Sequence, residues 1–195
     1  MDSDEIFELI LERARACGAA RPVVAKGDLA LISQPTDFLG LNVYTGAFIR
    51  AGRGGRPEVL PIPASYPVAD LPWLLHAPQS IYWAMRHLQD IYAIKSFFIT
   101  ENGAGYEDRL TADGEIPDLH RREYMRNYLL AVQRAATDGI PVHGYFAWSF
   151  IDNFEWAYGY AKRFGLVHND FATQRRSPKL SAHWYAAVMR ENRVL

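Results

Sequence analysis

The carboxylate best placed to take part in a reaction is Glu101. It ends the apolar run Ser96-Phe97-Phe98-Ile99-Thr100-Glu101 and precedes Asn102-Gly103, a turn signal. Burying a carboxylate at such a position is costly unless it faces a polar site or an ionic partner. Since the carboxyl ends of strands carry the active sites of α/β proteins, Glu101 is a candidate catalytic carboxylate. The alternative is a surface glutamate or one half of a structural ion pair.

A second group of candidate residues lies in the segment Trp148-Ser149-Phe150-Ile151-Asp152-Asn153-Phe154-Glu155-Trp156. Aromatic rings offer an apolar face and, in tryptophan, a polar N–H, while carboxylates accept hydrogen bonds from hydroxyl groups. Trp148, Glu155 and Trp156 would therefore suit a carbohydrate pocket. The alternative, which composition alone favours, is that both tryptophans belong to the core.

Three apolar runs predict the strands that would position these residues, near 37–44, 96–101 and 142–148. Near-continuous apolar runs fit strands that are covered on both faces, as in a parallel sheet. Helical patterns alternate with them, over 4–16, from Pro78 to Tyr92, over 119–137 after an Asp118 N-cap, and in a last helix opened by Ser177-Pro178. Such alternation is typical of right-handed βαβ units.

The linkers and the spacing of the strands indicate the size of the fold. Residues 51–72 are rich in Gly and Pro and predict an irregular loop, and a second long linker covers 149–176. The strand ends lie about 50 residues apart, so the chain holds about three βα units, whereas a full barrel has eight. The sequence thus predicts one α/β domain over 1–195, either a small open sheet or the last part of a (β/α)₈ barrel.

Composition excludes several classes of protein. The 195 residues carry a net charge of −1, which gives no electrostatic reason to expect a nucleic-acid or membrane partner. The single cysteine and an acidic start favour a reducing, cytoplasmic location, and no apolar run reaches the length of a membrane span. The six histidines show no metal-ligand spacing, and phosphate-loop and nucleophile-elbow motifs do not occur, so we expect neither metal nor cofactor.

Three motifs together carry a resemblance to a known family. The segment Ile99-Thr100-Glu101-Asn102-Gly103 resembles the nucleophile motif of glycoside hydrolase family 1, and Asp37-Phe38-Leu39-Gly40-Leu41-Asn42-Val43-Tyr44 resembles its sixth-strand motif. The segment from Trp148 through Val167 is similar to its eighth-strand sugar-binding segment. The resemblance extends from about residue 22 to the C-terminus and implies a (β/α)₈ barrel and retaining hydrolysis of β-glycosides.

The resemblance also implies a role for each matching residue. Glu101 would be the nucleophile, Tyr44 would hydrogen-bond it, and Val43 would point away from it. The remaining implied contacts are all with the sugar: Asn42 at the floor of the site, Trp148 against the face of the ring, Glu155 accepting from the 4- and 6-hydroxyls, Trp156 donating to a hydroxyl, and Phe164 closing the wall. A carboxylate at Glu155 would repel a 6-phosphate, so a plain glycoside is the expected substrate.

The resemblance covers only the C-terminal part of family members. A retaining mechanism needs a second carboxyl group about 5–5.5 Å from the nucleophile. The family's acid/base motif, Asn-Glu-Pro, does not occur in the sequence, and Glu107 and Asp108 are expected to be solvated loop charges. Two hypotheses follow: an enzyme part completed by a separate N-terminal half, or a non-catalytic remnant that self-associates through its open sheet and binds sugar weakly.

Overall fold

A computed structural model describes residues 3–20 and 23–195, and the chain divides into two compact units, residues 1–37 and 38–195. The first unit holds helices α1 (Ser3–Ala16) and α2 (Asp28–Ile32). The helix predicted over 4–16 is therefore confirmed. Every described strand and the three remaining helices belong to the second unit, which also contains all the candidate site residues.

The second unit alternates strands and helices. Its helices are α3 (Gln79–Tyr92), α4 (Leu119–Thr137) and α5 (Leu180–Glu191). Its strands are β1 (Leu39–Asn42), β2 (Ile49–Ala51), β3 (Pro57–Val59), β4 (Phe97–Asn102), β5 (Val142–Ala147), β6 (Val167–Asn169) and β7 (Arg176–Pro178). Short 3₁₀ turns lie at 53–55 and 156–158.

The central sheet consists of β1, β4 and β5 in the spatial order β1-β4-β5, and both pairings are parallel. In register, Leu39 lies opposite Phe97, and Phe97 lies opposite Val142. Because the strands are parallel, all three carboxyl ends lie at one edge of the sheet. Asn42 pairs there with Glu101, and Asn102 pairs with Ala147.

Helices cover one face of this sheet. Phe97 and Ile99 of β4 are fully buried against Ile81 and Met85 of α3 and against the tyrosines of α4. The opposite face stays open among the described residues: Phe38 is 52% exposed and Phe146 is 57% exposed. The sheet thus has a buried helical side and an exposed apolar side.

Two local predictions are wrong. The last helix begins at Leu180, because residues 176–178 form β7 and pair antiparallel with β6, so Ser177-Pro178 is not its cap. The linker 51–72 is not irregular throughout, since β2 and β3 form an antiparallel hairpin in which Arg50 and Glu58 are paired. The short strands β2, β3 and β7 gain their order from pairing partners that the periodicity of the sequence does not reveal.

Asp118 has a different role from the one expected. It occupies the N-cap position of α4, but its side chain does not cap that helix. Its carboxylate instead accepts hydrogen bonds from the amide of Ser181 at 2.8 Å and from the Ser181 hydroxyl at 2.5 Å, at the start of α5. The side chain therefore joins two helices.

Candidate active site

The centre of the candidate site is a hydrogen-bonded pair of side chains at the edge where the parallel strands end. The hydroxyl of Tyr44, two residues after β1, donates to Oε2 of Glu101 in β4 at 2.7 Å. Burial, the hydrogen bond and the negative charge of Glu101 all raise the pKa of the Tyr44 hydroxyl. The phenol therefore stays protonated, donates to the carboxylate and fixes its orientation.

Asn102, the last residue of β4, connects this pair to three other parts of the fold. From the sequence it was placed in a turn signal and in the nucleophile-like motif, without a role of its own. Its Nδ2 donates to the carbonyl of Val43 at 2.7 Å and to the Tyr124 hydroxyl at 3.2 Å. Its Oδ1 accepts from the Tyr145 hydroxyl at 2.6 Å. Asn102 is fully buried, and its hydrogen bonds hold β4 together with the end of β1, with β5 and with α4 around Glu101.

Two tyrosines of α4 support the main chain of Tyr44. The hydroxyls of Tyr124 and Tyr128 both donate to the Tyr44 carbonyl, the second at 2.9 Å, and their rings stack with centroids 4.3 Å apart. The helical pattern over 119–137 predicted the helix that carries them, but not the partners of their hydroxyl groups. Both ends of Tyr44 are thus fixed, the phenol by Glu101 and the backbone by α4.

The ends of β4 and β5 approach each other closely at Gly103. The amide of Trp148 donates to the Asn102 carbonyl at 2.8 Å. A Cβ atom at Gly103 would lie 1.8 Å from the Trp148 carbonyl oxygen, so only glycine fits there. This contact brings the segment that begins at Trp148 alongside the loop that follows Glu101.

Glu155 presents an unsatisfied carboxylate oxygen. Among the described residues no donor reaches its Oε2, although the atom is buried. Burial raises the pKa of Glu155, the neighbouring Trp148 acts to lower it, and the charge of Glu101 raises it further. A buried acceptor without a partner is costly, and a ligand hydroxyl would satisfy it.

The other predicted site residues differ in exposure. Trp156 lies on the 3₁₀ turn and is 82% exposed, whereas Phe164 is only 3% exposed and meets the Tyr44 ring edge-on at 6.3 Å between centroids. Phe164 thus belongs to the core cluster beneath Tyr44. Asn42 is exposed, and its Oδ1 accepts from the Thr100 hydroxyl at 2.7 Å.

Asp108 corrects the expectation of a solvated loop charge. Its side chain is 1% exposed and pairs with Arg121, at 3.0 Å, and with the Nζ of Lys179. Glu107 does lie on the surface, where it pairs with Arg109. Asp108 is one of six charged side chains that we call the buried ion network: Asp108, Asp118, Arg121, Asp152, Arg163 and Lys179.

The described part of the chain shows no group of His, Cys, Asp and Glu side chains arranged to hold a metal ion. Within residues 3–20 and 23–195, no helix combines the length and apolar character needed to cross a membrane. The side chains at the strand ends are carboxylates, tyrosines and tryptophans, which suit the recognition of a polyhydroxylated ligand.

Comparison with known proteins agrees with this chemistry. The family model of glycosyl hydrolase family 1 matches residues 3–194. A 1,4-beta-D-glucan glucohydrolase of Thermotoga neapolitana is 38% identical over 188 residues, which are 96% of this chain and 41% of that protein. A beta-glucosidase of Agrobacterium sp. is 40% identical over 193 residues, which are 95% of this chain and 41% of the relative.

The solved structures give the same result. A beta-glucosidase from Thermotoga maritima in complex with castanospermine superposes with a TM-score of 0.84 at 35% identity, covering 96% of this chain and 41% of that one. The chain therefore spans about two fifths of the length of these relatives. Its parallel sheet and helices form part of a TIM barrel, as predicted. By its sequence and by its fold, this chain belongs to glycosyl hydrolase family 1.

Proposed function

We propose that this chain provides the nucleophile and the sugar-binding side of a retaining β-glycosidase. The single observation that carries the proposal is the Tyr44–Glu101 hydrogen bond of 2.7 Å at the carboxyl ends of parallel strands, where TIM-barrel enzymes have their active sites. Membership of the family supports a β-glycosidase-like function. The relatives that match are described as a glucohydrolase and beta-glucosidases.

In this proposal an oxygen of Glu101 attacks the anomeric carbon as the glycosidic bond breaks, forming a covalent glycosyl ester. Water then cleaves the ester and releases the sugar with its original configuration. The Tyr44 hydroxyl, by donating to Oε2, holds the carboxylate in a fixed orientation. Asn102 and the α4 tyrosines keep Tyr44 in place during both steps.

Glu155 is the proposed hydrogen-bond acceptor for sugar hydroxyls. Its unsatisfied Oε2 would accept hydrogen bonds from the 4- and 6-hydroxyls, with Trp148 against the ring face and Trp156 donating to a hydroxyl. A negative charge at this position repels a phosphate on the 6-oxygen. The proposed substrates are thus terminal, unphosphorylated β-glycosides, with Asn42 at the floor of the site and Phe164 supporting the Tyr44 ring from the core.

The acid/base carboxyl group is proposed to come from another polypeptide segment. Glu155 is needed to bind the sugar, and the Asn-Glu-Pro motif does not occur in this sequence. A polypeptide with the other strands of the barrel would complete the site at the open face of the sheet. That exposed face also favours the second candidate function, a self-associating sugar-binding protein without turnover.

The first test measures nitrophenol release from an aryl β-glucoside by the purified chain, alone and mixed with a polypeptide carrying the first five βα units of a family member. An activated leaving group needs little protonation, so this substrate tolerates a missing acid. We expect Glu101→Gln to abolish release, by at least about a thousandfold, since the nucleophile is lost.

Glu107→Gln is the matched control, because it neutralises an exposed glutamate six positions after Glu101, in the loop that follows β4. It should retain full activity. Equal release by the Glu101→Gln and unmodified chains would contradict the assignment of the nucleophile. If neither the chain nor the mixture releases nitrophenol, the second candidate function takes its place.

A further inference from the structure

We propose that the buried ion network is a positioning device that sets the separation of Glu155 from Glu101, by joining the loop that carries Glu155 to the loop that follows Glu101. This inference rests on the proposed function, in which the first carboxylate binds the sugar that the second attacks. No member of the network is placed in contact with that sugar. Its residues act through the two loops that they connect.

The Glu155 loop is closed at its base by Asp152. The carboxylate of Asp152 accepts from the amide of Gly165 at 3.0 Å and from the amide of Asn169 at 3.3 Å, so one side chain holds both limbs of the loop. A Cβ atom at Gly165 would lie 2.1 Å from the Asp152 amide nitrogen, which shows how closely the limbs approach. Glu155 follows this closure by three residues.

Main-chain hydrogen bonds continue the closure on either side of Asp152. The Ser149 amide donates to the Phe164 carbonyl at 3.2 Å, and the Leu166 amide donates to the Ser149 carbonyl at 2.8 Å. The Asp152 amide donates to the Val167 carbonyl at 3.0 Å. The base of the loop is therefore rigid, and the position of Glu155 depends on where this base is held.

Arg121 of α4 holds the loop that carries Glu155 against the loop that follows Glu101. Its Nη2 donates to the carbonyl of Arg163 at 2.7 Å, at the far limb of the Glu155 loop. Its Nε donates to the carbonyl of Ala104 at 3.4 Å, three residues after Glu101. One buried guanidinium group thus contacts both loops, and its planar set of donors fixes their relative geometry.

Lys179 makes a second connection between the same two loops. Its ammonium group donates to Oδ1 of Asp152 at 2.8 Å and also contacts the carboxylate of Asp108, which lies in the loop that follows Glu101. The side chain of Lys179 is 0% exposed. Arg163 completes the network by donating to Oδ2 of Asp152 at 2.7 Å.

The charges balance, because three carboxylates meet three cations. Buried ion pairs of this kind add little stability over well-packed apolar side chains, yet their hydrogen bonds are directional. An apolar cluster at the same place would hold the loops together without fixing their register. Geometric control of the two carboxylates is therefore the role that distinguishes the network from ordinary packing.

The test uses the electrostatic coupling between Glu101 and Glu155 as a measure of their separation. The full 195-residue chain is labelled with ¹³C at glutamate carboxyl groups, and the pKa of Glu155 is followed by NMR with and without Glu101→Gln. We expect Glu101→Gln to lower the pKa of Glu155, since it removes a neighbouring negative charge. In a Lys179→Met background we expect that change to fall below about half of its original value.

Two further variants make the result decisive. Met85→Ala, in the α3 core, lowers the melting temperature without touching the network and should leave the coupling unchanged. Arg163→Met removes a more exposed member and replaces Lys179→Met if that variant does not fold.

The proposal is overturned if a folded network variant shows undiminished coupling between Glu101 and Glu155. It is also overturned if Glu101→Gln leaves the pKa of Glu155 unchanged in a chain whose network is intact. The measurement needs neither sugar nor turnover. Failure of the proposed function, seen as nitrophenol release that is independent of Glu101, is therefore a separate result.

Discussion

At the scale of single residues, Asn102 contributes more to the geometry of the site than its place beside Glu101 indicates. It satisfies the Val43 carbonyl and the Tyr124 and Tyr145 hydroxyls in a fully buried position. A substitution there leaves several buried polar groups without partners. The cost of such groups is the desolvation penalty of each one, and this exceeds the net gain of an ordinary hydrogen bond.

We expect Asn102→Ala to lower the free energy of unfolding by about 2–4 kcal/mol, because the Val43 carbonyl and the Tyr145 hydroxyl lose their partners. Urea unfolding followed by fluorescence measures this change. Gln133→Ala, an exposed amide on α4, should have almost no effect. Equal stability of the two variants would show that the Asn102 contacts do not form in solution.

The sequence indicated the candidate residues of the site more clearly than the hydrogen bonds that hold those residues in place. Glu101 and Tyr44 lie within recognisable motifs at strand ends, and their pairing follows from parallel strands. The partners of Asn102 depend on tyrosines from α4 and β5 that are 22 and 43 positions away. Periodicity reports which face of an element is apolar, but it does not report where a hydroxyl on that face points.

At the scale of elements, the buried ion network joins the starts of α4 and α5 to the loops after β4 and β5. Asp108 was expected in solvent because loop charges usually remain there. Its partner Lys179 lies 71 positions away, so no local pattern indicates its burial. The start of α5 was predicted wrongly for a different reason, since residues 176–178 pair with β6 instead of opening the helix.

Asp152 makes this network sensitive to acid. Burial acts to raise the pKa of Asp152, but Lys179 and Arg163 outweigh it and hold the pKa below the usual 3.8. A depressed pKa in the folded state adds stability at pH values above 3.8, and that stability is lost as the pH falls below it.

We therefore expect the urea midpoint of the unmodified chain to fall more steeply between pH 5 and pH 3 than that of Asp152→Asn. At pH 7 the variant should be the less stable of the two, since Lys179 and Arg163 lose a charged partner. Parallel pH profiles for the two proteins would exclude a charged Asp152 in the network. Glu115→Gln, an exposed carboxylate in the same linker as Asp108, serves as the control for general acid effects.

At the scale of the whole molecule, the central sheet has one side that is apolar and exposed among the described residues. The described sheet has three strands with helices on one side, while Phe38 and Phe146 project from the other. In a TIM barrel the corresponding side faces the packed interior. Apolar surface of this kind favours contact with a complementing polypeptide or with another copy of the chain.

We expect the purified chain to sediment as a mixture whose average mass rises with concentration, and Phe146→Lys to shift it toward monomer. Tyr92→Lys is the matched control, because Tyr92 on α3 is 52% exposed and Phe146 is 57% exposed. Sedimentation velocity at several concentrations distinguishes the three proteins. A chain that stays monomeric at every concentration would argue against self-association through the exposed side of the sheet.

The closed base of the Glu155 loop has a practical consequence for protein engineering. Because the Asp152 carboxylate accepts from the Gly165 amide and the two main chains approach closely there, residues 153–162 form a cassette whose ends are already fixed by the scaffold. Libraries of replacement tips, with altered length or side chains, can be grafted between these two anchors while the sheet keeps its register. Sugar preference would then be tuned by exchanging one short module.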